Sequence, residues 1–145
     1  MRLRIAAVFL VTLTACLIFG RSLASSTRPG VDFVYTSAAR YEPKAWLKGQ
    51  ERFAEGAQIY RWNAGHSYRL VPDFAASADP EVSFDGTHIL FAGKKSPNDA
   101  WQIWEVAVDG TGLRQVFSSK DDAIRPLYLS EGFIVYASRV GKYFR

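Results

Sequence analysis

The stretch that decides the fold is "PEVSFDGTHILFAG", Pro80 to Gly93. Asp85-Gly86 separates two short runs rich in β-formers, Val82-Ser83-Phe84 and His88-Ile89-Leu90-Phe91. Such a pair marks a hairpin turn. Glycine reaches positive φ at no steric cost, aspartate tolerates it, and both central residues of a tight turn are expected to adopt it. The pair recurs 24 residues later as Asp109-Gly110, in "VAVDGTGLRQVF". Two turns at that spacing predict four consecutive antiparallel strands, near 81–84, 87–93, 101–108 and 112–117.

The hairpin is one copy of a repeat. "PEVSFDGTHILFAG" aligns with "PLYLSEGFIVYAS": Pro80 to Gly86 and Pro126 to Gly132 are both six steps, and Phe91 recurs as Tyr136 after 45 residues. Upstream, Tyr35 in "DFVYTSA" has the same local setting. The second hairpin also has a partner. "QIYRWNAGHSYRLV" from Gln58 matches "QIWEVAVDGTGLRQV" from Gln102, with Gly65 against Gly110 and Arg69 against Arg114. A unit of about 45 residues with four strands is the size of a β-propeller blade.

Packing chemistry agrees. In "WQIWEVAV", residues 101–108, Trp104, Val106 and Val108 occupy one face of the strand, and Trp101, Ile103 and Ala107 the other. A strand with one wet face would alternate apolar and polar residues; blades stacked face to face cover both sides. No long segment after residue 25 carries a helical period. Residues 42–57, "EPKAWLKGQERFAEGA", are broken by Pro43, Gly49 and Gly56 and read as a loop with one helical turn. The reading is therefore all-β: one degraded blade, one full blade and the first two strands of a third, over 31–145.

The chain of 145 residues suffices for one domain, and its 48% hydrophobic and 14% aromatic content supports a core. The formal charge of +4 is local. Arg2, Arg4 and Arg21 lie in the first 24 residues, which hold no acid, so 15 basic and 14 acidic residues remain beyond them. A near-neutral domain gives no electrostatic case for nucleic acid.

Residues 1–24 read as a signal peptide, with "MRLR", then an apolar run from Ile5 to Gly20, then "SLA" before cleavage between Ala24 and Ser25. "LTAC", ending at Cys16, resembles a lipobox and makes lipidation at Cys16 one alternative. An uncleaved N-terminal anchor is another. Cleavage or lipidation predicts a periplasmic or secreted domain, in the second case a membrane-anchored lipoprotein; any membrane contact is through a lipid or signal anchor. Cys16 is the single cysteine, so stability must come from packing rather than disulfides.

"DPEVSFDGTHILFAG", "QIWEVAVDGTGLRQVF" and "RPLYLSEGFIVYAS" resemble the TolB-like, WD-repeat-like propeller repeats of bacterial envelope proteins over about residues 31–140. The same wording is similar to the propeller-type middle domain of the hydrazine synthase alpha subunit family. That resemblance implies a propeller. Haem attachment in that family needs Cys-x-x-Cys-His, which this sequence lacks, so no cofactor is expected. TolB itself carries an α/β domain ahead of its propeller, and here barely ten residues separate Ala24 from the first strand. Propeller closure takes typically four or more blades. The expectation is an N-terminal part of a longer protein, with a ring of several copies as the alternative.

No nucleophile is assigned: Ser25, Ser26, Ser118, Ser119 and Ser130 lack a Gly-x-Ser-x-Gly setting. His66 and His88 lack clustered carboxylates or thiols for a metal. Asp121-Asp122, before Arg125-Pro126 at a blade junction, are candidates for a ligand site, against a turn-capping role shared with Asp79 before Pro80. Trp101 and Trp104 suit a core. Trp46, near Lys44, Lys48 and Arg52 in the long loop, is the aromatic candidate for a surface role. The expected role is recognition of a protein or small-ligand partner in the cell envelope by inter-blade loops, with no bond-making step. The alternative is the non-catalytic propeller portion of a larger envelope enzyme, either a haem enzyme or a hydrolase.

Overall fold

A computed structural model describes residues 32–141 and 143–144. The signal-peptide reading, with Cys16, Ala24 and Ser25, lies outside these residues. The described chain is all-β, with ten strands in three antiparallel sheets. The first sheet holds β1 (Phe33–Ser37), β2 (Gln58–Asn63) and β3 (His66–Arg69) in that order. The second holds β4 (Ala76–Val82), β5 (His88–Lys94), β6 (Gln102–Ala107) and β7 (Arg114–Phe117). The third holds β8 (Ala123–Tyr128), β9 (Ile134–Val140) and the two-residue β10 (Tyr143–Phe144). The second sheet is the complete four-stranded blade expected from the sequence, and its neighbours are partial ones.

The predicted β4 started too late. It begins at Ala76, because a bulge between Ala78 and Glu81 lets the strand run through Asp79-Pro80. A bulge is where a strand accommodates proline, which has no N–H for the ladder. β8 repeats the device, with a register shift between Ile124 and Leu127 around Arg125-Pro126. Asp79 and Arg125 both sit at positive φ, 55° and 52°. Each bulge residue's N–H is satisfied from the preceding sheet: Asp79 donates to Thr36 Oγ1 at 3.2 Å, and Arg125 to Asp79 Oδ2 at 3.1 Å.

The repeat extends to the junctions. Ser77 N–H donates to the Ala57 carbonyl at 2.9 Å, and Ala123 N–H to the Trp101 carbonyl at 2.7 Å. Gln58 reaches the carbonyls of Phe74 and Ala75, as Gln102 reaches those of Ser119 and Asp121. The same bonds thus stitch the first sheet to the second and the second to the third.

The turn chemistry differs from expectation in one respect. At both Asp-Gly pairs only the glycine takes positive φ, 72° at Gly86 and 88° at Gly110. Gly86 N–H bonds to the Ser83 carbonyl and Gly110 N–H to that of Ala107, closing four-residue turns in which aspartate need not be left-handed. Its carboxylate serves the next residue instead. Asp85 Oδ1 accepts from Thr87 N–H and Oγ1 at 3.0 and 2.7 Å, and Asp109 Oδ1 from Thr111 N–H and Oγ1 at 2.9 and 2.7 Å. The repeated unit is Asp-Gly-Thr. The turns with two positive φ values are Ala64-Gly65 and Glu131-Gly132.

Two cores flank the second sheet. Ile89, Phe91 and Val106 pack with Ile59, Leu70, Val71 and Phe74, joined by Trp104 and Val108. Leu90, Ala92, Trp101 and Ile103 pack with Phe53, Ala123 and Ile124. Both faces of β6 are covered, as its sequence predicted.

Candidate binding face

Antiparallel order places the β1–β2, β5–β6 and β7–β8 connections at one end of the sheets. The β1–β2 connection contains the long loop. It carries one turn of 3-10 helix, Ala45–Lys48, where the sequence allowed one helical turn. Its core-facing side chains fix it to the sheets. Arg52, 4% exposed, donates to Asp79 through both terminal nitrogens, at 3.0 and 2.8 Å. Its guanidinium lies over the Phe53 and Trp101 rings, at 5.1 and 6.0 Å. Glu51 accepts from Lys94 Nζ at 2.8 Å and Trp101 Nε1 at 2.9 Å. A planar two-pronged donor holds a carboxylate in one orientation, which a lysine could not do. Arg52, read from sequence as a surface neighbour of Trp46, is turned into the core, because the Asp79 bulge leaves a carboxylate there to be neutralised.

One sequence candidate, Asp122, meets this loop. Asp122 has both carboxylate oxygens engaged, by Trp101 N–H at 3.0 Å and Arg139 Nη1 at 3.2 Å. Arg139 also donates to the Gly49 carbonyl at 3.4 Å, joining the third sheet to the loop. A cavity of about 50 Å³ lies among Gly49–Arg52, Trp101, Asp122, Ile124 and Arg139. Asp121 sits beside Asp122, half-buried, its N–H on Ser119 Oγ and its carbonyl on Gln102. Trp46 lies within the 3-10 turn of the same loop. Asp79, grouped in sequence with Asp121-Asp122, is the structural equivalent of Arg125 instead.

Two wider hollows open at the same end. One, about 370 Å³, lies between Phe53–Gly56, Lys94, Pro97 and Trp101. The other, about 390 Å³, is lined by Lys95, Asp99, Trp104, Gln115, Ser118 and Lys120. Lys95 Nζ stands 4.0 Å from the centre of the Phe74 ring and 5.3 Å from that of Trp104. These surfaces can offer hydrogen bonds, charge and aromatic rims. Among the described residues no three His, Cys, Asp or Glu side chains converge as metal ligands. His66 and His88 are exposed, and His88 Nδ1 contacts Thr87 Oγ1 at 2.8 Å. The clamp of Glu51, Arg52, Lys94 and Arg139 was missed from sequence; charges spread from residue 51 to residue 139 leave no local pattern.

The opposite end is built differently. Glu105, buried in β6, accepts from Arg114 and from Tyr128 Oη at 2.8 Å. Burial, and then the bond to that carboxylate, push the Tyr128 hydroxyl above its ordinary range. Ser83, then Thr87, hold the Asp85 carboxyl down at about 2.

No known protein-family profile matches the chain. Over 82 residues, 55% of the chain, it is 40% identical to hydrazine synthase subunit alpha of Kuenenia stuttgartiensis. That alignment spans 10% of the relative, so the chain corresponds to about a tenth of its length. The solved structure of Kuenenia stuttgartiensis hydrazine synthase superposes on 74% of the chain and 16% of its own, with TM-score 0.58 and 26% identity. Over the matched spans, the propeller-type sheets of this chain are similar in sequence to hydrazine synthase subunit alpha and in structure to hydrazine synthase.

Proposed function

We propose that the chain is an exported propeller-type recognition module, binding a protein or small-ligand partner of the cell envelope at the loop end of its sheets. The observation that carries this reading is the clamped β1–β2 connection. A loop longer than the fold needs is held by Arg52 on Asp79 and Glu51 on Lys94 and Trp101. A pre-ordered loop loses little entropy on binding, which favours recognition. Export rests on the 1–24 leader pattern. The mechanism is shape and polar complementarity, with no covalent step.

The test places a photocrosslinking residue at Trp46, at Asp121 and, as a control at the other end, at Leu113. Each chain is expressed in its host and irradiated. A single shared adduct from positions 46 and 121, absent from 113, is the expected result. Equal labelling from all three removes the proposed face. The intact mass of the protein in the osmotically released and membrane fractions tests export: a start at Ser25 in the first or a lipidated Cys16 in the second supports it, and a start at Met1 opposes it.

A second reading is favoured by the similarity to hydrazine synthase subunit alpha. In it, the sheets are the non-catalytic propeller portion of a larger envelope enzyme. A native product much heavier than 16.2 kDa would support it.

A further inference from the structure

The hollow of about 390 Å³ at the loop end is lined entirely by residues between Gly93 and Lys120. It therefore belongs to the complete second sheet and the connections on either side of β6 and β7. Two lysines meet there with different histories. Lys94 and Lys95 are neighbours at the end of β5, and strand alternation sends them to opposite sides. Lys94 is buried and answers Glu51. Lys95 is exposed, with Nζ held over the Phe74 ring at 4.0 Å and the Trp104 ring at 5.3 Å. Gly93 leaves room for the Phe74 ring, which a Cβ would meet at 2.7 Å. The repeat does not require a cation here: counted from Tyr35 and Tyr136, the equivalents of Lys95 are Ala39 and Val140. Lys120 reaches the same hollow from the β7–β8 connection, beside Ser118 and Ser119.

Among the described residues, neither ammonium group has a carboxylate within ion-pair distance. Arg52, Arg61, Lys94, Arg114 and Arg139 all do. The acid on the wall, Asp99, accepts the Ser96 N–H at 2.8 Å and caps its own turn. Two ammonium groups against one carboxylate leave the wall with positive charge in excess. Ser119 Oγ accepts the Asp121 N–H at 3.1 Å, which leaves its hydrogen to donate. We propose that this hollow binds a small organic oxyanion, a carboxylate or phosphate on a compact apolar body. Lys95 and Lys120 take the charge, the serine hydroxyls donate to its oxygens, and Trp104 supplies the apolar wall. The volume is that of a small-molecule site. Lysine, a point charge with three rotatable donors, accepts such a group from several directions. The proposal rests on the reading of the loop end as a binding face and narrows it to one ligand class.

The experiment is a two-dimensional NMR titration of the chain, as its host processes it, with phenyl phosphate and with benzoate. Benzyl alcohol is the uncharged control. Saturable shifts at the Trp104 indole N–H and at the amides of Lys95 and 118–120 are expected with at least one anion, and none with the alcohol. Lys95→Ala and Lys120→Ala should each weaken binding about tenfold. Arg40→Ala, which removes the same charge from an exposed site elsewhere, should leave it unchanged. Both lysines are exposed and unpaired, so the variant spectra should otherwise match wild type. The proposal is overturned if neither anion gives saturable shifts, if benzyl alcohol shifts the same signals equally, or if Arg40→Ala loses as much as the lysine variants. Photocrosslinks from positions 46 and 121 without anion binding would remove this site and keep the recognition face. Anion binding without those crosslinks would keep this site and remove the macromolecular partner.

Discussion

The first and second sheets are copies of one repeat with different fates. In the second, Ile89, Phe91 and Val106 are wholly buried and both faces are packed. In the first, the equivalent Phe33, Tyr35 and Trp62 are left exposed or half-exposed, and three strands stand where the second sheet has four. The difference teaches that a blade's pairing register is set locally, whereas its burial is conferred by its neighbours. The hairpin alternation puts a residue on a face; only an adjoining sheet decides whether that face is core.

The largest test of this contrast is a matched pair of truncations. Phe91→Ala should cost about 3–5 kcal/mol in urea unfolding, for lost burial plus a cavity. Tyr35→Ala, at the equivalent position, should cost about 1–2 kcal/mol, since its ring is already partly wet. Equal losses would break the contrast.

Arg52→Ala should cost about 2–3 kcal/mol, because it strands the Asp79 carboxylate beside the core. The cost is discounted for the partial exposure of Asp79. Amide exchange should accelerate across residues 42–57 and stay unchanged in β5. Uniform acceleration would mean that the loop is not a separately fastened unit.

Gly93 sharpens the contrast further. A Cβ there would meet the Phe74 ring at 2.7 Å, so Gly93→Ala should cost about 1–3 kcal/mol by overpacking. Ser37→Ala, its equivalent in the first sheet, should stay within about 0.5 kcal/mol. Thermal melts of both would decide it.

The smallest effect concerns pH. With the Asp85 carboxyl held at about 2 by Ser83 and Thr87, its contribution is full above the ordinary carboxylate value near 4. It is lost as pH falls through about 2. Asp85→Asn should be less stable than wild type at neutral pH and match it at the acid end. A gap that persists in acid would assign the effect to the turn's shape rather than to its charge.

Much of the fold was legible because it rests on short-range chemistry. Gly86 and Gly110 forced turns, and the two-faced apolar pattern of 101–108 demanded cover on both sides. The error at β4 came from Pro80, which reads as a strand boundary until the bulge around Asp79 is seen. The candidate site was less legible. Asp122 lies between β7 and β8, and its partners, Trp101 N–H and Arg139, lie 21 and 17 residues away along the chain. Arg52 looked like a surface cation because the carboxylate it pairs with, Asp79, lies 27 residues away along the chain.

The sequence by itself determined the repeat, the strand order within a blade and the residues facing each side, since glycine turns and alternation act within a few residues. Only the tertiary structure decided which charges are buried pairs, how the long loop is fastened, and which faces remain open. Those depend on groups far apart in the chain meeting across sheets, where desolvation and geometry rather than local propensity set the outcome.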